Sequence, residues 1–405
     1  MRPAGSLLVV AVAMLAGCGG GSPARTTITG DTLSVYTGLP LRGARAAVGR
    51  AVLRGEKLAL HDAAGHVGDR EVSLVALDDT DARTARWAPG QVAANARQAV
   101  QNPTTIAYVG DLDSGATAVS VPITNAVGVL QVSPLSGYTG LTQPDDKGEP
   151  DKYYPTRRRT FARLVPPGAT EARALASWLR ELGIGRVGLA YDGLQEGLGQ
   201  GGELEKGLAG AGVTVADVVR VDPRDGPADV AEDARVLERG ALPAVLYAGG
   251  SVPAARALLT AVHAALPAAA LFATSGVASG ALARALPAAV PPLRVTSPLL
   301  PVRARPAPAR RVSAAYRRLF GVPAPPAALY GYEAMRGVLD AVRRAGPAGN
   351  DRASVVGAYF HTTATRSVLG PYSIDPRGDT TATSFGGFSA RDGRLTLDRV
   401  LHPAD

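Results

Sequence analysis

Short apolar strand segments and helical segments alternate along nearly all of this 405-residue chain, in two successive series, and that alternation leaves few architectures open. In the first series residues 32–36, 72–77, 105–109 and 128–132 read as strands, with helical patterns over 44–64, 92–100 and 115–124 between them. The second series follows Phe161-Ala162-Arg163-Leu164-Val165-Pro166, with strands at 186–191, 214–220, 244–247, 269–273 and 294–297. Its helices fall at 171–182, 202–211, 230–239 and 252–265, and later ones at 312–320, 332–345 and 351–359. A strand, a loop and a helix repeated at this spacing build parallel βαβ units. One open sheet would need too many strands, so the expected fold is α/β with two Rossmann-like, doubly wound lobes. In such sheets a ligand crevice lies beyond the carboxyl ends of the strands, where the strand order reverses.

The N-terminus narrows the setting. Residues 1–17 carry one positive charge at Arg2 and an apolar stretch from Leu7 to Leu15, too short to cross a bilayer as a helix but laid out as a secretory signal. The tetrad Leu15-Ala16-Gly17-Cys18 resembles the lipobox of bacterial lipoproteins, which makes Cys18 the expected acylation site and residues 18–30 a lipidated tether. Since Cys18 is the one cysteine, no disulfide or thiolate chemistry is left for the folded part.

The net charge of +8 is spread over scattered arginines, with a run only at Arg157–Arg159 and no aromatic interleaving, so a nucleic-acid partner is not expected. Enzyme signatures are missing as well. No G-x-G-x-x-G opens a helix after the first strand, and the glycine-rich Gly197–Gly202 lacks the lysine of a phosphate loop. His61 and His66 lie five apart, while His263, His361 and His402 are isolated, so no metal set is expected. No catalytic residue and no cofactor are assigned.

Several stretches share an order and spacing. They are Tyr36–Gly43 (YTGLPLRG), Tyr108-Val109-Gly110 with Ser114, Val132–Ser136 (VSPLS), Phe161–Pro166 (FARLVP), Tyr330–Met335 (YGYEAM) and Val368–Asp375 (VLGPYSID). Joined to the lipobox, they make the chain from about Leu33 to Val400 resemble the substrate-binding proteins of branched-chain amino acid ABC transporters, periplasmic binding proteins of class I fold. The resemblance implies two lobes joined by three crossovers, expected near Val165, Thr296 and Leu369. Lobe 1 would then be 31–164 plus 296–368, and lobe 2 would be 165–295 plus 369–405. It further implies a small solute in the cleft, an ABC permease with its ATPase as partners, and a place on the outer face of the cytoplasmic membrane through Cys18. A binding lobe serving a signalling partner is the alternative.

The resemblance also implies ligand residues. Ser114 and the loop Pro134-Leu135-Ser136 match the lobe 1 set for a ligand carboxylate, although helix capping and turn chemistry would account for both serines. Lobe 2 should supply an aromatic wall and an acid for an ammonium group. Tyr191 and Asp192 fall at a strand end, and Tyr332 is expected near the cleft. In Phe272-Ala273-Thr274-Ser275-Gly276-Val277, however, Thr274 and Ser275 stand where the acid is expected. A hydroxyl cannot neutralise an amine, so the ligand is either an amine held by Asp192 or Glu196 instead, or a solute without one.

Overall fold

The computed structural model describes residues 26–193, 195–222 and 224–403, with side chains throughout except at 195–198. The signal, Cys18 and the Glu196 side chain lie outside these described residues. The first lobe opens with β1 (Thr32–Leu39), α1 (Ala46–Asp62), β2 (His66–Val67), β3 (Arg70–Asp78), α2 (Pro89–Gln101), β4 (Thr105–Val109), α3 (Ser114–Ala126), β5 (Leu130–Ser133) and β6 (Phe161–Arg163). Its sheet order is β2-β3-β1-β4-β5-β6, parallel except for the edge strand β2. Strand β1 is buried along almost its whole length, as expected of a central parallel strand covered on both faces.

The second lobe contains α4 (Gly168–Glu181), β7 (Arg186–Asp192), α5 (Gln195–Gly210), β8 (Thr214–Val221), α6 (Pro227–Arg239), β9 (Ala244–Ala248), α7 (Val252–Ala265), β10 (Ala270–Ala273), α8 (Gly280–Ala285) and β11 (Leu293–Ser297). The chain then returns to the first lobe for α9 (Ala307–Phe320), α10 (Pro326–Arg344), α11 (Arg352–Phe360), β12 (Thr363–Ala364) and β13 (Tyr372–Ser373). It ends with β14 (Phe385–Arg391) and β15 (Arg394–Leu401), completing the second sheet in the order β15-β14-β11-β10-β9-β7-β8. Strand β9 shows how the sequence builds two cores from one strand. Val245 and Tyr247 enter the cluster under α6 and α7, while Ala244, Leu246 and Ala248 enter the one under α4.

The fold class is the one expected, with three crossings between lobes. The third crossing is placed differently. Val368, Leu369, Tyr372 and Ile374 are buried in the first lobe's core, so the chain does not leave that lobe near Leu369. It leaves between Thr380 and Phe385, after Asp379 has paired with Arg163 of β6 at 2.6 Å. The short strand β13 pairs with β12 and not with the second sheet.

The N-terminal segment is clasped to the start of α11. Ile28 N donates to Asn350 O at 2.8 Å, Asn350 Nδ2 returns a bond to Ile28 O at 2.8 Å, and Arg352 N donates to Thr26 O at 3.0 Å. Helices α1 and α10 pack backbone against backbone, since a Cβ on Gly331 would stand 2.2 Å from Val52 O, and one on Gly55 would stand 2.0 Å from Ala328 O. Gly331→Ala should therefore push the helices apart and cost about 1–3 kcal/mol, read as a lower melting temperature. An unchanged melt would mean the helices separate freely.

Candidate functional site

In the first sheet the order reverses between β1 and β4, and in the second between β7 and β9. The loops leaving these strands face each other across one cleft of ≈ 690 Å³, within the usual range for small-molecule sites. From lobe 1 come Arg45 at the start of α1, Leu112 and Ser114 at the start of α3, and Leu135 and Tyr138 after β5. From lobe 2 come Glu171 of α4, Gln200 and Glu203 of α5, and Ser275 after β10. The lobes touch across it. Glu203 accepts a bond from Thr139 N at 2.6 Å, Lys206 pairs with Asp145 at 2.6 Å, and Ala169 N donates to Thr139 Oγ1 at 3.0 Å.

The structure separates the residues expected at the site. Ser114 lines the cleft as the first residue of α3, with its hydroxyl accepting from Tyr138 N at 3.1 Å. Leu135 and Ser275 also line it. Ser136 does not. Its hydroxyl is fully buried, 2.5 Å from Thr117 Oγ1 and 3.1 Å from Asp111 O, so it braces the loop from below. Pro134 is buried in the same turn and absent from the cleft wall.

In lobe 2, the Tyr191 ring lies under α5, where a Cβ on Gly201 would come within 2.8 Å of it. Asp192 is buried and accepts from Tyr247 Oη at 3.1 Å and Ser251 N at 2.8 Å, which fixes the loop entering α7. Thr274 is buried beneath Gln200, donating to its Oε1 at 2.9 Å. Tyr332 lies outside the cleft, inside α10, where its hydroxyl donates to Asp62 at 3.0 Å at the far end of α1. The expected helix began at 332, but α10 begins at Pro326, so Tyr330 is helical as well and both tyrosines pack between α1 and the core.

Three cleft residues were missed. Gln200 Oε1 is fixed by Gly249 N at 3.1 Å and Thr274 Oγ1, which leaves its amide N–H groups to donate elsewhere. Glu171 of α4 reaches Ser275 after β10. Its Oε1 accepts from Ser275 N at 2.7 Å and Thr296 Oγ1 at 2.6 Å, and its Oε2 accepts from Ser275 Oγ at 2.6 Å. Burial pushes the Glu171 carboxyl up, with these three bonds opposing. Burial likewise lifts Glu203 to about 7, against the bond from Thr139. One signal pointed to Glu171: it shares the stripe of Ala174, Leu175 and Trp178, so an acid occupies an otherwise apolar helix face.

A family model described as periplasmic binding protein matches residues 38–389. A leucine-binding protein LivK from Thermotoga maritima superposes with a TM-score of 0.76 at 22% identity, covering 92% of this chain and 99% of that one. A putative branched-chain amino acid ABC transporter structure from Rhodospirillum rubrum gives 0.66 at 25% identity, covering 90% and 99%. An ABC transporter solute-binding protein from R. palustris in complex with benzoate gives 0.73 at 17% identity, covering 92% and 97%. A search of curated proteins finds no match.

Proposed function

The chain belongs to the periplasmic binding protein family, and from that premise we propose that it is the extracytoplasmic receptor of an ABC transporter. It closes on one small polar solute and presents it to a permease driven by a cytoplasmic ATPase. The supporting observation is the cleft between two facing switch points, with polar groups on both walls and contacts that bridge the lobes. Closure is a hinge motion about the three crossings, driven by a ligand that fits the closed form better than the open one. The first amides of α3 and the Ser114 hydroxyl suit a carboxylate. Relatives of this fold include a leucine-binding protein and one solved with benzoate, which makes amino acids and small carboxylates the first solutes to test.

Acylation of Cys18 would hold the receptor at the outer face of the cytoplasmic membrane. Labelling cells with an alkynyl fatty acid tests this, and label retained in Cys18→Ser would sink it. For the binding function, thermal melting of the detergent-purified protein against a solute panel is decisive. A ligand at 100 times its Kd should stabilise the chain by about 2.7 kcal/mol, and Ser114→Ala should reduce that gain. If no amino acid, amine or carboxylate moves the melt, the receptor reading fails.

A further inference from the structure

The cleft has a charge that the rest of the molecule does not. The chain carries a net +8, yet among the described residues five carboxylic acids and three basic residues line the cleft. Each of the three bases has an acid partner. Arg45 pairs with Asp113 at 3.2 Å, Lys152 with Glu149 at 2.8 Å and Lys206 with Asp145 at 2.6 Å. Glu171 and Glu203 differ. They are 6% and 4% exposed, and neither forms an ion pair among the described residues. Both belong to lobe 2, and they lie close together: a Cβ on Gly168, in the turn of α4 that carries Glu171, would stand 1.8 Å from Glu203 Oε2.

A buried carboxylate without a counter-charge is costly, and neutral donors offset only part of the cost. The bonds to Glu171 show where a counter-charge would enter. A carboxylate has about four acceptor positions. Three are taken, two on Oε1 and one on Oε2, which leaves one open on Oε2 of a residue that lines the cleft. Ser275 and Thr296 hold the carboxylate from α4 against two other elements, so its direction is fixed before any ligand arrives. On the opposite wall, α3 offers Ser114 and its first amides to an anionic group, and Leu112 and Leu135 supply apolar surface.

We propose that Glu171 selects the solute by accepting a bond from its ammonium group at the open position on Oε2, with Glu203 as a second carboxyl group on the same wall. The natural ligand is therefore an amine-bearing small solute, and the acid that recognises it stands on the first turn of α4 instead of after β10. This inference rests on the reading of the cleft as the solute site.

The test uses wild-type protein and Glu171→Gln, purified in detergent, with calorimetric titration and thermal melting. The probes are the common amino acids, putrescine and spermidine, together with amine-free counterparts such as 4-methylpentanoate for leucine and 3-phenylpropanoate for phenylalanine. An amine-bearing probe should bind the wild type, and its amine-free counterpart should bind at least roughly 100-fold more weakly. Glu171→Gln, whose Oε1 can still accept from Ser275 N and Thr296 Oγ1 while its amide N–H donates to Ser275 Oγ, should weaken the amine-bearing probe by a similar factor. Its unliganded melt should be unchanged or higher, because a buried charge has been removed. Amine-free carboxylates that bind the wild type as well as their amine counterparts, with affinities that Glu171→Gln leaves intact, would overturn the proposal while keeping the receptor reading. Failure of every probe to bind the wild type would overturn both. If the variant did not fold, the wild-type comparison of each amine with its amine-free partner decides the same point.

Discussion

Arg163→Met should cost about 3–5 kcal/mol, the usual penalty for removing one member of a buried charge pair. Arg163 is fully buried. It pairs with Asp379 at 2.6 Å, donates to Tyr138 O at 2.6 Å, and also bonds Thr142 Oγ1. Through these bonds it ties β6 to the segment that leaves lobe 1 at the third crossing. Burial acts to raise the Asp379 carboxyl, but the Arg163 charge and bonds from Gln143, Arg163 and Thr142 outweigh it and hold the group below its ordinary value. The stabilisation from Asp379 is thus present above the unfolded pKa of about 4 and is lost as pH falls through the lower folded value. Methionine fills part of the space but leaves Asp379 charged and unpaired. Urea denaturation of Arg163→Met and of the double variant with Asp379→Asn separates the terms, because the double variant should recover much of the loss. A single variant as stable as the wild type would show that the pair holds nothing.

The second large effect is a stability that falls as pH rises. Burial lifts Glu56 and Asp79 to about 8 and Asp111 and Glu203 to about 7, with the neighbouring Asp111 and Asp113 charges adding to the lift at Asp79. Neither oxygen of Asp79 has a hydrogen-bond partner among the described residues. In the unfolded chain these groups ionise near pH 4. Since the folded pKa is the higher one, their contribution is full below pH 4 and is lost as pH climbs through 7 to 8. At constant ionic strength the melting temperature should be higher at pH 5.5 than at pH 8.5 by roughly 5–10 °C. Asp79→Asn should raise the melt at pH 8.5 and flatten the profile. A wild-type profile flat over this range would mean that these carboxyls are already ionised in the folded chain.

The architecture was legible in the sequence because parallel βαβ units advertise themselves twice, once in strand composition and once in helical period. Residues 244–247 and 252–265, for example, needed no tertiary information. The third crossing was not legible, since 368–381 is held by Tyr372 Oη to Glu333 at 3.0 Å and by the Arg163–Asp379 pair, contacts distant in sequence. The site was legible only where backbone position decides it. Ser114 follows a parallel strand at a switch point, so it must face the cleft. Ser136 stands three residues past the end of β5, and its hydroxyl turns inward to Asp111 and Thr117, which no local pattern specifies. Glu171 was overlooked because an acid in a helix's first turn is ordinary on dipole grounds. What distinguishes it is its burial against Ser275 and Thr296, 104 and 125 residues away.

The clasp between Thr26–Ile28 and Asn350–Arg352 defines a mechanical load path. A pull applied through the N-terminus enters at these bonds and passes from Arg352 Nε to Thr105 O at 2.9 Å, at the start of β4. It is therefore borne as shear by the central sheet of the first lobe. The second lobe lies outside that path, joined through the three crossings and the contacts across the cleft. If the N-terminus is held through Cys18 as proposed, tension there would load the first lobe and would not act directly on the hinge between the lobes.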